Sequence, residues 1–201
     1  LGKDYSSAKE LTEFYEEGVA ILDYVKKWRV RYFDRKDVFL VGCELPLLVP
    51  IGSNFYFKGF IDCLLYDESL DRWTILDFKT STSGWSSETR KSFLKTAQLL
   101  LYKHYLAQEY GIDPEKIKVQ YFIVKRKINE NADYESMRRR VQIFEPTAGP
   151  INTKKAANMV QNFIVEAVTE NGGYQEKEFK ATPSLESCKF CVFKKDCKLA
   201  V

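Results

Sequence analysis

Gly59-Phe60-Ile61-Asp62 and Ile75-Leu76-Asp77-Phe78-Lys79-Thr80 are the two stretches whose reading decides how this chain folds. If the apolar run Trp73 to Phe78 is a strand, Asp77 and Lys79 are two apart and leave the same face, while Phe78 points the other way. Asp62 ends a second strand-like run, Phe55 to Ile61. The 14 residues between Asp62 and Asp77 leave room for a hairpin turn at Asp67-Glu68-Ser69. Surface strands also carry Asp and Lys at solvated alternating positions, where such pairs add modest stability and no chemistry. Here the flanks Ile61, Ile75, Leu76 and Phe78 predict a buried strand, and unpaired charge is seldom buried without a use.

Working outward, Leu11, Phe14, Leu22, Val25 and Trp28 recur at helical spacing and predict a long amphipathic helix over residues 7–32. Strand-like runs cover 38–50, 54–66 and 72–80, with Pro46 and Pro50 marking the first as an edge or bulged strand. A polar stretch, Ser81 to Thr89, holds Trp85 in a loop suited to mobile substrate contact. It leads into a helix over about 88–110 that Gly111 stops. Lys118 to Lys125 reads as a buried strand and Arg138 to Phe144 as an edge strand. A helix over about 153–170 follows, ended by Gly172-Gly173. The expected divisions are 1–35 (N-terminal helix), 36–145 (core) and 146–201 (C-terminal helix and cysteine tail) of a single domain.

The residue types found together suit magnesium chemistry. A hard divalent cation takes oxygen ligands and is usually held by one or two carboxylates, with water and substrate phosphate completing its shell. Asp62 and Asp77 fit that role, and the Lys79 ammonium fits that of orienting a water or offsetting developing negative charge. The whole set, D-x14-D-x-K with apolar flanks and a downstream helix bearing Gln98-Leu99-Leu100-Leu101-Tyr102, resembles the RecB-like branch of the PD-(D/E)XK nuclease superfamily. That resemblance implies an α/β restriction-endonuclease-like core, a central mixed sheet flanked by helices, and a metal-dependent deoxyribonuclease acting as an exonuclease. It further implies magnesium or manganese on Asp62, Asp77 and the Phe78 backbone carbonyl, with Lys79 catalytic. Gln98 and Tyr102, four apart, share a helix face and match the family's third motif; ordinary helix packing accounts for them as readily. Glu44, in the strand before Asp62, reaches the metal through water or forms a salt bridge at the sheet edge.

A second constellation, Cys188-x2-Cys191-x5-Cys197, closes the chain. Thiolates select zinc or iron-sulfur clusters, and a closed site of either kind takes four ligands. The same spacing ends the iron-sulfur subgroup of the RecB-like nucleases, which includes CRISPR-associated exonucleases and the AddB subunit of helicase-nucleases. The resemblance therefore implies a 4Fe-4S cluster ahead of zinc, with the fourth ligand unidentified. Free thiols in a fraying tail are the plainer reading. Cys43 is a poor match to the family's fourth ligand, and Cys63 reads as a buried small apolar residue facing away from Asp62. His104, the only histidine, reads as a packing or surface residue.

Composition agrees with one globular domain. The chain has 201 residues, 45% of them apolar, with no internal repeat and no stretch approaching the ~20 apolar residues of a membrane span. Five cysteines in a metal-like spacing fit a reducing cytoplasm, bacterial, archaeal or of a phage-infected cell. The formal charge of +3 is only mildly basic, so clustering matters more. Lys125-Arg126-Lys127, Arg138-Arg139-Arg140, Lys154-Lys155 and Lys194-Lys195 are candidate contacts to DNA phosphates. The expected partner is DNA, single-stranded or end-containing, in recombination, repair, phage DNA metabolism or CRISPR adaptation. A helicase or a CRISPR-adaptation protein is the protein partner that the resemblance suggests. The competing class is a non-catalytic DNA-binding or scaffold subunit, which would leave the length of DNA unchanged.

Overall fold

Alternating burial along the central strands, and a helix that must reconnect two of them in the same direction, set the architecture. The computed structural model describes residues 6–52, 54–178 and 181–201. Five strands form one sheet in the order β1 (Val38–Pro50), β2 (Tyr56–Asp67), β3 (Arg72–Ser81), β4 (Ile117–Lys125), β5 (Val141–Phe144). β1–β2, β2–β3 and β4–β5 pair antiparallel and β3–β4 parallel, so the sheet is mixed. β1 and β5 are its edges, which accommodates Pro46 and Pro50 as expected.

The parallel pair needs a crossover. Helices α3 (Ser87–Lys91) and α4 (Phe93–Tyr110) supply it. The sequence predicts one helix here; the chain instead breaks at Ser92, whose ψ of 115° is extended and caps α3 while starting α4. α4 ends where Gly111 adopts φ 64°, a left-handed turn that glycine takes without steric cost. Its Leu99, Tyr102, Tyr105 and Leu106 lie on Leu47, Val49, Ile61, Leu64, Ile75, Val119, Tyr121 and Ile123 of the sheet. Each such fully buried aliphatic chain contributes about 1.5–3 kcal/mol. The far side of α4 meets α6 (Pro150–Ala167) through its small Ala156 and Ala157.

The opposite sheet face holds a smaller cluster of Cys63, Leu65 and Leu76 with Phe33 and Val38, so Cys63 is buried as a small apolar residue, facing away from Asp62. Phe78 also turns to this side and meets Phe33 and Phe122.

The N-terminal amphipathic stretch forms α1 (Ala8–Lys27), started by a Ser7–Glu10 capping box, and after Trp28 a single turn, α2 (Arg29–Tyr32). None of the α1 side chains is buried, and Leu11 and Leu22 are 58% and 70% exposed. The edge strand read as starting at Arg138 starts at Val141, because Glu135–Arg138 closes a helical turn, α5. The tail carries one short helix, α7 (Leu185–Cys188). No helix among the described residues is long and apolar enough to cross a membrane.

Candidate active site

β3 positions Asp77 and Lys79 on the α4 side of the sheet, as their two-residue spacing requires. Asp77 is 0% exposed, and its neighbour in the parallel register is Tyr121. Lys79 Nζ stands 2.7 Å from Asp77 Oδ2. Apart from that ion pair, neither carboxylate oxygen of Asp77 has a hydrogen-bond partner among the described residues. Burial pushes the Asp77 carboxyl above its ordinary range; Lys79 opposes the shift and the charge of Asp62 adds to it. Burial, and then the Asp77 charge, likewise raise the Tyr121 phenol, which donates to the Lys95 carbonyl at 2.8 Å.

Asp62 approaches from β2. The β2–β3 ladder stops at Cys63–Leu76, and beyond it Asp62 Oδ2 accepts a 2.7 Å hydrogen bond from the Phe78 amide. The sequence singles out the Phe78 carbonyl; the contact the fold makes is through the amide of that residue, which ties the two carboxylate-bearing strands together. A buried Asp77 with unsatisfied oxygens, beside a half-buried Asp62 on the next strand, fits a divalent cation that needs only one or two carboxylates.

Lys79 is held from above by α4. Its Nζ donates to Gln98 Oε1 at 3.1 Å, and Gln98 Nε2 donates to the Tyr102 hydroxyl at 3.1 Å. The ammonium also lies 6.0 Å from the centre of the Tyr121 ring. The helix-packing alternative for Gln98 and Tyr102 is thus only half the story: the Tyr102 ring packs in the core while its hydroxyl ends a chain that runs to Asp77. The G-x-x-D pattern has a steric reason, since a Cβ on Gly59 would stand 2.6 Å from Tyr102 Cε1. Nothing in the sequence connects positions 59 and 102; only the tertiary packing does.

Glu44 falls opposite Asp62 in the β1–β2 register, between the pairs Cys43–Cys63 and Leu45–Ile61. It is exposed and has φ 49°, a left-handed conformation unusual for a side chain of its kind. Among the described residues it forms no salt bridge, and no three His, Cys, Asp or Glu gather as ligands to one ion.

The cysteine tail is placed in successive turns, with the Cys191 amide on the Cys188 carbonyl at 3.4 Å and the Cys197 amide on the Phe193 carbonyl at 2.9 Å. Cys188 is buried, whereas Cys191 and Cys197 are exposed. The thiols are not gathered into a ligand set and Cys43 lies in the sheet, so the residues as placed do not fit a four-thiolate cluster.

Most of the basic runs turn out to stitch the fold together. Arg126 pairs with Glu17 at 3.2 Å and covers Phe14, and Lys127 pairs with Glu13 at 2.7 Å. Lys125 is buried and donates to the Ser136 and Met137 carbonyls, Arg138 to that of Ala132, and Arg140 to that of Arg126. Trp85 is likewise not a mobile contact: its ring packs 4.7 Å from Tyr121, and its amide and carbonyl both bond Gln142. His104 is half-buried against Tyr105, as a packing residue, and burial lowers its pKa.

A family model of the PD-(D/E)XK nuclease superfamily matches residues 8–198. No curated protein matches the chain.

Proposed function

From the premise that this chain belongs to the PD-(D/E)XK nuclease superfamily, we propose that it is a metal-dependent DNA exonuclease of the RecB-like branch. Asp62 and Asp77 would hold magnesium or manganese, which when bound supplies polarisation of the scissile phosphate and a lower pKa for the attacking water. The observation that carries this reading is Asp77, a fully buried carboxylate whose oxygens lack hydrogen bonds beside a lysine held in place by a glutamine. Such a group is costly unless a cation completes it.

The chain's own residues then divide the work. Lys79 is the catalytic cation, placed to orient the water or to offset charge growing on the phosphate as one P–O bond forms and the other breaks. Gln98 fixes the ammonium through its Oε1, and Tyr102 fixes Gln98. The Phe78 amide holds Asp62 through its Oδ2, beside the strand that bears Asp77. Glu44 is close enough in register to act through water. The whole of 1–201 acts as one nuclease domain, with 36–145 as its catalytic core.

A linear and a circular single strand of DNA, each incubated in magnesium, manganese and chelator, test this. Loss of the linear substrate alone, abolished by chelator, is expected; equal cutting of the circle would make the enzyme an endonuclease.

A second reading is favoured by one observation. α1 presents an apolar stripe to solvent with no buried residue, and the tail exposes Phe190, Val192 and Phe193. Surfaces of this kind suit a subunit of a larger assembly, such as a helicase-nuclease or a CRISPR-adaptation complex. Native mass spectrometry of the gene product from its source cell would separate a partner-bound subunit from a free enzyme.

A further inference from the structure

Three of the larger concavities differ sharply in charge. The groove between α4 and α6, about 850 Å³, mixes Lys103 and Lys154 with Asp113 and Glu115. A smaller one beside β2 mixes Arg31, Arg35 and Arg72 with Asp67. A third, about 840 Å³, is lined by Arg31, Arg90, Lys125, Lys127 and Arg139 and by no carboxylate. In a protein whose formal charge is only +3, five cations on one concave surface are a local concentration that the whole-chain balance hides.

The position of this groove relative to the two aspartates matters as much as its charge. Lys125 pairs with Ser81 across the parallel register, two residues along β3 from Lys79. Strand rise and spacing place the Cα atoms of Lys79 and Lys125 about 8 Å apart. Lys125, and Arg90 over Phe144, lie on the Asp77 face, whereas Arg31, beside Tyr32 on Phe122, lies on the other, so the groove bends around the β5 edge toward the carboxyl ends of β3 and β4.

Its cations are also available. The Arg31 guanidinium makes no hydrogen bond or salt bridge among the described residues, although its charge acts on Glu135. Arg90 makes one long bond to the Ser86 carbonyl, 3.4 Å, and lies over Phe144. Lys127 and Arg139 pair with Glu13 and Glu135, pairs open to solvent. Pairs of that kind are worth about 0–1 kcal/mol and are readily exchanged for phosphate. Lys125 is different, since two backbone carbonyls hold its ammonium in the floor, where burial lowers its pKa.

We infer that this groove carries the backbone of a single nucleic-acid strand to or from the Asp62–Asp77 site, with Arg31 and Arg90 as its principal phosphate contacts. The inference rests on the nuclease reading for what happens at the end of the path, but the groove's own binding is separable from it. A concave surface of this volume suits one strand rather than a duplex, and Tyr32 and Met137 offer it apolar wall.

The test uses the full chain carrying Asp77→Asn, so that binding is read without cleavage, and a fluorescent 20-nucleotide single strand followed by anisotropy across a salt series. Adding Arg31→Glu with Arg90→Glu should weaken binding roughly tenfold or more, and the corresponding Gln pair should flatten the log–log salt slope by about 1.4, the share of two phosphate contacts. The same charge change at Lys116→Glu with Lys118→Glu, at the opposite end of β4 from Lys125, should cost less than twofold. Equal weakening by both Glu pairs would overturn the inference by showing that only net charge matters, and an equally tight blunt duplex would overturn its single-strand form. Thermal melting of each variant excludes loss of fold as the cause. In parallel, the unmodified chain is assayed with metal on bis(p-nitrophenyl) phosphate, a diester too small to span the groove. Hydrolysis of that ester beside a failed groove test would sink the groove and leave the nuclease; groove-dependent binding without any metal-dependent hydrolysis would do the reverse.

Discussion

Gly59 on β2 and Tyr102 on α4 approach so closely that a single methyl group between them would lie 2.6 Å from the ring. The strand must be bare at this point for the helix to bring the Tyr102 hydroxyl to Gln98, and Gln98 to Lys79. Gly59→Ala is therefore expected to cost about 1–3 kcal/mol in urea unfolding, the usual range for overpacking. It should also slow cleavage, because the helix end that holds Lys79 shifts. Normal stability in that variant would contradict the packing account.

Asp77 gives a pH signature. Burial raises its folded pKa above that of the unfolded chain. The stability linked to this group is then complete below the unfolded value, about 3.9, and is lost as pH rises through the folded one. Asparagine at this position cannot ionise and escapes that loss. In chelator, Asp77→Asn should melt above the unmodified protein at pH 7, and the gain should shrink to nothing as pH falls below the unfolded carboxyl range. Magnesium should raise the melting temperature of the unmodified protein and leave that of the variant unmoved. A variant less stable at pH 7 would contradict the assignment of Asp77 as a buried, cation-seeking carboxylate.

Gln98 and Tyr102 should behave as one unit. Tyr102→Phe removes one neutral hydrogen bond, worth about 0.5–1.5 kcal/mol, and should reduce turnover roughly 3- to 10-fold. Gln98→Ala releases Lys79 directly and should cost more. Because both act through the same ammonium, the double variant Gln98→Ala/Tyr102→Phe should be little worse than Gln98→Ala alone, and additive losses in kcat would disprove the chain of contacts.

Much of this site was legible in the sequence, for identifiable reasons. Asp77 and Lys79 face the same way because a strand has period two, and Gln98 and Tyr102 share a face because a helix has period 3.6. The edge positions of β1 and β5 and the burial of Cys63 followed from the same local rules. What local rules could not supply was the use to which charge is put at a distance. The runs Lys125-Arg126-Lys127 and Arg138-Arg139-Arg140 look like DNA contacts in sequence, yet Glu13, Glu17 and several backbone carbonyls claim most of them. The basic groove adds to Lys125, Lys127 and Arg139 of those runs two cations, Arg31 and Arg90, that belong to no run. Trp85 misled for a similar reason, since its polar surroundings hide the Tyr121 and Phe144 rings that fold against it. The break at Ser92 and the left-handed Glu44 carry no helix- or strand-breaking residue to announce them.

Glu44 tests whether a strained conformation is kept for use. A left-handed backbone disfavours any residue with a Cβ by about 1–2 kcal/mol, while glycine costs more entropy in the unfolded chain. Glu44→Gly should therefore stabilise the fold by a net ~0.5–1 kcal/mol, read by urea denaturation. If the carboxylate serves the cation through water, the same variant needs more magnesium for half-maximal cleavage. A rise in stability with an unchanged magnesium requirement would make Glu44 a structural oddity only.

The central claim is that Asp77 and Lys79 form a metal-dependent cleaving pair, and the most direct measurement is single-turnover digestion of end-labelled linear DNA by the unmodified chain and by Lys79→Ala. Release of labelled product that requires magnesium or manganese and stops with chelator is expected. Lys79→Ala should fall by about 10²–10³ in rate while binding the DNA as before. Cleavage at an undiminished rate in Lys79→Ala, or its persistence in chelator, would contradict the account.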